Sequence, residues 1–172
     1  MMKTTQFMRV LFLALAFWVG VATSGHSEER QTVGWVEKVS VFPGNLQLKA
    51  KLDTGALNSS LNASQIEEFV RNDEKWVRFS VTNWQNLTAT LEQKLIRTAR
   101  IKEHDRASNQ RPVIQLGICL ANVFKEVEVN LVDRSNFKYQ MLIGRSFLQG
   151  SFVIDPARTF TVKPQCQGVP GQ

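Results

Sequence analysis

Leu46, Leu48, Ala50 and Leu52 alternate with Gln47, Lys49 and Lys51, and this period of two stops abruptly at Asp53-Thr54-Gly55-Ala56. Alternation of that kind sends every second side chain to one face, so the stretch predicts a half-buried strand rather than a helix. The strand delivers one carboxylate into a turn, and Gly55 permits backbone conformations that a side chain resists. A carboxylate at a strand end, beside a hydroxyl and a glycine, is suited to acid or base chemistry. The competing explanation is an ordinary Asp-Thr-Gly surface turn, so the rest of the chain has to decide.

The same period recurs along the sequence. Residues 33–41, 75–81, 112–120 and 123–132 predict strands, and 87–102 predicts one or two more. Pro43-Gly44-Asn45, 83–86 and Ala121-Asn122 punctuate them as turns or loops. Residues 57–61 predict a further short strand. Ser64-Gln65-Ile66-Glu67 has capping-box spacing ahead of Phe69 and Val70 and predicts a short helix. The polar stretch 103–110, with Ile101 before it and Val113-Ile114 after, predicts a hairpin whose tip, Glu103-His104-Asp105, is a solvated loop. Residues 139–148 read as an apolar strand ending at Gly144, then a helical turn at Arg145. Two final strands are expected at 152–156 and 159–162, around Pro156-Ala157-Arg158. Many short strands with few helices predict a mainly β protein, a closed barrel with one or two short helices.

At 172 residues, 43% hydrophobic and 21% charged, the chain can bury one substantial core. Its formal charge of +6 is scattered, with no basic run interleaved with aromatics, which excludes a nucleic-acid stripe and leaves mild attraction to acidic partners. Lys3 and Arg9 precede an apolar run over 10–22, followed by Thr23, Ser24 and Gly25, the layout of a secretory signal peptide. The run is short for a membrane span, although an uncleaved N-terminal anchor is the alternative. No cysteine follows it, which argues against a lipoprotein anchor. The expected division is a signal peptide over 1–24, a polar leader over 25–32, one domain over 33–164 and a flexible tail over 165–172. Loss of 1–24 lowers the charge from +6 to +4, because Lys3 and Arg9 go with it. The expected location is periplasmic or secreted, with no stable membrane span after cleavage. In that setting Cys119 and Cys166 can pair, or Cys119 is simply a small buried apolar residue. Asn58, Asn62 and Asn86 head Asn-x-Ser/Thr sequons. A glycan at Asn58 would obstruct a cleft at Asp53, which favours a bacterial envelope.

Leu52-Asp53-Thr54-Gly55-Ala56 followed much later by Leu142-Ile143-Gly144-Arg145 resembles the pattern of retropepsins, the single-domain aspartic proteases. Lys51–Ala56, Arg111-Pro112-Val113, Leu131-Val132-Asp133-Arg134-Ser135 and Met141–Leu148 are similar to a bacterial family long labelled "ATP-dependent zinc protease", now regarded as retropepsin-like. That family accompanies glutamate ligases that modify ribosomal proteins. The resemblance runs from Val33 to Val162. It implies a catalytic Asp53, an active-site loop of Thr54, Gly55 and Ala56, and structural support from Gly144 and Arg145. Thr54 would brace the turn through its hydroxyl, Gly55 would present a carbonyl to a peptide, and Arg145 would tie the C-terminal helix to the loop. Retroviral members carry an acidic partner for that arginine just after Asp-Thr-Gly-Ala, where this chain has Leu57. The hairpin near 101–113 is the expected flap, without the glycine-rich tip of the retroviral enzymes.

The old label has no chemical support in the sequence. There is no HExxH, the only histidines are His26 and His104, and no glycine-rich phosphate loop is present. No cofactor and no metal are therefore expected. An aspartic protease needs two carboxylates about 3 Å apart sharing a proton. This chain has one Asp-Thr-Gly, and Asp73, Asp105, Asp133 and Asp155 lack its context. The resemblance thus implies a homodimer with one Asp53 from each copy. Three function classes compete. The first is an aspartic endopeptidase acting on a peptide or protein, with acidic or glutamate-rich peptides among its candidates. The second is a catalytically silent peptide- or protein-binding module. The third is a structural subunit pairing through β edges.

Overall fold

Sheet forms almost everywhere the sequence alternates. The computed structural model describes residues 29–103, 106–133, 135 and 138–169. The segment read as a signal peptide, and the tip residues His104 and Asp105, lie outside them. The strands are β1 (Gln31–Phe42), β2 (Leu46–Leu52), β3 (Ser59–Asn62), β4 (Ser64–Arg71), β5 (Glu74–Thr82), β6 (Thr88–Glu103), β7 (Arg106–Leu120), β8 (Val123–Val132), β9 (Met141–Ile143) and β10 (Phe152–Thr159). A single helical turn, α1 (Arg145–Leu148), follows β9.

Six strands close on themselves in the order β1-β2-β9-β3-β8-β7, and the ring is completed by antiparallel pairing of Ser40, Val41 and Phe42 with Cys119, Ile118 and Gly117. Alternation decides what fills the ring. Leu48, Ala50 and Leu52 from β2 point inward with Val39, Leu61, Ile114, Leu116, Leu131, Met141 and Ile143, all buried, and Phe147 of α1 caps them. Each such side chain larger than Ala50 stabilises the fold by about 1.5–3 kcal/mol before the entropy of ordering it. The expected closed, mainly β barrel of retropepsin type is the fold found.

Beyond the ring, β6 changes partners midway. Its first half pairs with β5 from Thr82↔Thr88 to Trp76↔Lys94, and its second half pairs with β7 from Leu95↔Ile114 onward. The result is a three-stranded arm, β4-β5-β6, and a long β6–β7 hairpin.

Two expectations are corrected. The helix predicted at Ser64-Gln65-Ile66-Glu67 is strand β4. Asn72 and Asp73 both adopt left-handed backbone (φ 52° and 61°), making a two-residue hairpin turn that pairs Arg71 with Glu74 and Phe69 with Trp76. A short helix here would have had no face to bury, because nearly all of 64–71 is exposed. The two final strands are one. β10 runs parallel to β1 from Gln31↔Phe152 to Val36↔Thr159, with a register shift that accommodates the Pro156 region. As an edge strand it tolerates the missing proline donor. The chain after it turns into a buried carboxylate instead of continuing the sheet. Glu37 accepts hydrogen bonds from the N–H groups of Gly34 (2.8 Å), Thr161 (2.9 Å) and Val162 (3.3 Å) and from the Thr161 hydroxyl (2.6 Å).

The ends also differ from expectation. β1 takes in Gln31 and Thr32, which were assigned to the leader. The described part of the tail is anchored: Gln165 N–H donates to the Ala121 carbonyl at 2.6 Å, Cys166 is disulfide-bonded to Cys119, and Val169 is buried near Phe42. Closing a loop of 47 residues in this way stabilises the fold by about 4 kcal/mol in the chain-entropy account.

Candidate active site

The site is built where β9 lies between β2 and β3. β9 runs parallel to β2 (Leu52↔Ile143) and antiparallel to β3 (Ser60↔Leu142), so the connection from β2 to β3, residues 53–58, must pass over the end of β9. That connection carries Asp53. Its N–H donates to the Ile143 carbonyl at 2.8 Å, extending the β2–β9 pairing by one bond and fixing the start of the loop. Its Oδ1 accepts the Gly55 N–H at 3.0 Å, and the residue is half-buried.

This local bond is not distinctive by itself. Asp133 accepts from Ser135 N–H and Asp155 from Ala157 N–H, both at 2.9 Å, in the same two-residue spacing. At Asp133 the bonds from Ser135 hold the carboxyl below its ordinary value, although it sits exposed in a loop. The setting is what separates Asp53 from the others. Gly144 and Arg145 clamp its loop from below. The Arg145 N–H donates to the Ala56 carbonyl and the Ser146 N–H to the Leu57 carbonyl, each at 2.9 Å. The Arg145 guanidinium donates to the carbonyls of Thr54 (2.8 Å) and Gly55 (3.0 Å). The arginine therefore finds its partners in backbone carbonyls and needs no acidic one, and Leu57 stands exposed at the position where retroviral members carry that acid. Gly144 N–H donates to the buried Ser59 hydroxyl at 3.1 Å. A Cβ on Gly144 would lie 2.6 Å from the Asn58 carbonyl, so glycine is required for the close approach of the two segments.

Thr54 and Gly55 form the exposed crest of the loop, and Ala56 is half-buried beneath it. Among the described residues the Thr54 hydroxyl makes no hydrogen bond within the chain. The stem of the β6–β7 hairpin stands across from this loop. Between them lies a cleft of about 330 Å³ lined by Ala56, Leu57 and Asn58 on one side and Arg97, Ala99 and Arg111 on the other, with Asn130 and Leu142 at its floor. Arg97 is partly neutralised by Glu128, through bonds of 3.0 and 2.6 Å. Among the described residues no three His, Cys, Asp or Glu side chains converge as metal ligands would.

Sequence reasoning passed over three contributors. Ser59 was read only as strand and sequon, and its acceptance of the Gly144 N–H depends on a contact between residues 85 apart. Arg97 and Arg111 lie on different strands that meet only in the folded chain. Arg111 falls within the Arg111-Pro112-Val113 motif, which is the one sequence signal for it.

A closed six-strand barrel with an Asp-Thr-Gly loop clamped by an Ile-Gly-Arg segment defines the single-domain acid-protease fold. The family described as RimB-like, retropepsin-like aspartic endopeptidase RimB, matches residues 32–165, and the chain belongs to that family. It is 33% identical over 129 residues to a probable alpha-L-glutamate ligase of Shewanella pealeana, and 30% identical over 112 residues to one of Parasynechococcus marenigrum. Those matches take in 72% and 63% of this chain but only 28% and 24% of the ligases, so the chain spans about a quarter of the relatives' length. A solved structure of a protein of unknown function from Legionella pneumophila is 34% identical with a TM-score of 0.68, covering 78% of this chain and all of that one.

Proposed function

We propose that the chain is an exported aspartic endopeptidase whose water-activating pair is formed by Asp53 from two copies. The observation that carries this reading is the placement of one carboxylate on a loop clamped by Arg145 and left open at Thr54 and Gly55, beside a cleft. One such carboxylate can accept a proton from water, but the scissile carbonyl also needs a donor. A second Asp53 about 3 Å away, sharing one proton, supplies it. The deprotonated member then takes the proton of the attacking water while its protonated partner hydrogen-bonds the carbonyl oxygen. Thr54, whose hydroxyl makes no hydrogen bond among the described residues, would brace the loops against each other. The β6–β7 hairpin would act as the flap that excludes water.

The membership of the family supports this chemistry, and the N-terminal layout supports export. Arg97 and Arg111 along the cleft favour an acidic peptide as substrate, since a guanidinium pairs strongly with a carboxylate. The ligase names of the relatives point the same way, because added glutamates would make an acidic target.

The test is Asp53→Asn assayed on a peptide library enriched in acidic sequences, with light scattering for molecular mass. Cleavage is expected to vanish while the circular dichroism spectrum and the dimer mass persist. Turnover by the variant equal to that of the parent, or cleavage by a strict monomer, rules the mechanism out. A folded dimer that binds acidic peptides without cutting them would favour the silent binding module.

A further inference from the structure

The outer face of β1 and β2, with the segment 138–140 that leads into β9, carries a cluster that the cleft does not use. Lys38 and Lys49 are register partners across β1 and β2, and each ammonium lies 5.4 Å from the centre of the Trp84 ring. Lys49 is also 5.9 Å from the ring of Phe160. Its backbone N–H donates to Gln140, the neighbour of Tyr139. The Tyr139 ring meets Trp35 edge-on at 5.9 Å and carries the Lys138 ammonium at 5.6 Å. Phe160 is 46% exposed, and Leu87, in the loop with Trp84, is 58% exposed. Among the described residues, none of these three lysines takes part in an ion pair.

Cations resting on aromatic rings, with no carboxylate among the described residues to neutralise them and bare apolar side chains beside them, suit one environment. At the headgroup level of a bilayer the rings enter the interface and the ammoniums reach the phosphates. A soluble acidic polymer would satisfy the lysines and leave Leu87 and Phe160 in water. A neutral bilayer would satisfy the rings but offer the lysines no net attraction, because each phosphate is balanced by its own choline. The length of chain ahead of the domain agrees. The apolar run of 10–22 ends nine positions before Gln31, a reach of at most about 30 Å. Trp35 follows four residues into β1, so the run, where it is retained as the uncleaved anchor, would hold this face within contact of the lipid surface. We propose that the outer β1–β2 face, with residues 138–140 beside it, docks the domain onto a membrane surface bearing anionic lipid headgroups. Docking makes no use of Asp53, so it stands or falls apart from the peptidase reading.

The experiment acylates lysines on the full-length chain and reads each site by mass spectrometry, with vesicles of phosphatidylcholine alone or mixed with phosphatidylglycerol. Lys38, Lys49 and Lys138 are expected to react about tenfold more slowly on the anionic vesicles only, given the attraction of each lysine to an anionic surface. Lys75 and Lys94, exposed on the arm, should react equally on both. The double variant Lys49→Glu, Trp84→Ala should lose the protection at Lys38 and Lys138 while keeping its circular dichroism spectrum. Equal rates on both vesicle types overturn the proposal, as does full protection in the double variant. Equal protection by soluble polyglutamate makes the occupant an acidic chain and overturns it too. Protection that rises with protein concentration in the absence of lipid makes the occupant a second copy, with the same consequence. Flotation with neutral vesicles reads the apolar run separately.

Discussion

Gly144 shows how much can depend on one missing side chain. The loop carrying Asp53 can rest on α1 only because nothing projects from residue 144 toward Asn58 and Leu57. Gly144→Ala is expected to destabilise the protein by about 2–3 kcal/mol in urea denaturation, since backbone atoms have to move. Gly150→Ala is the control: its Cβ meets nothing within 4 Å, and only the left-handed φ of +81° resists, at about 1 kcal/mol. Arg145→Met removes two charge-assisted bonds to an exposed loop and should cost about 1–2 kcal/mol. On the proposed mechanism its activity should fall further than its stability, because the Thr54 and Gly55 carbonyls lose their anchor. Parallel peptide assays and denaturation curves separate the two effects.

The three-stranded arm is held by a different balance from the barrel. Its outer face joins Arg71 and Arg78 to Glu92, with Glu67 at the edge. The hydrogen bond from Arg71 first, and that from Arg78 next, hold the Glu92 carboxyl below its ordinary value. A carboxyl depressed in the folded state contributes stability above the ordinary carboxylate range and loses it as pH falls through the folded value. The β4–β5–β6 amides should therefore lose hydrogen-exchange protection in acid ahead of the barrel strands, and Glu92→Gln should remove that pH dependence. Exposure and salt keep the effect small. Glu37 is the opposite case, a buried carboxylate with four donors. Glu37→Gln places an amide among donors that require an acceptor, and it should cost about 2–4 kcal/mol. Loss of exchange protection at Thr161 and Val162 would locate the damage.

For the whole molecule, closure matters more than any strand. The β1–β7 pair that seals the ring ends at Cys119, and the disulfide to Cys166 fastens the chain end over the same seam. Reduction should lower stability by about 4 kcal/mol without dissolving the barrel, a result that calorimetry with and without reductant can check. Strand content was legible in the sequence because alternation is local and alternating segments had few other ways to bury their apolar sides. Leu48, Ala50 and Leu52 had to face a core together. Misreadings arose where local signals had two solutions, as at Ser64–Glu67, where a capping-box spacing lost to a hairpin set by Asn72-Asp73. The sequence by itself determined that a half-buried strand ends in Asp-Thr-Gly, that a glycine and an arginine follow the last inner strand, and that the chain is mainly sheet. Only the tertiary structure decided that Arg145 grips the Thr54 and Gly55 carbonyls, that Ser59 receives Gly144, and that Arg97 and Arg111 share a cleft. The physical reason is separation. The contacts of Arg145 and Gly144 join residues 85 to 91 positions apart, and no local pattern records a distance that exists only once the barrel has closed.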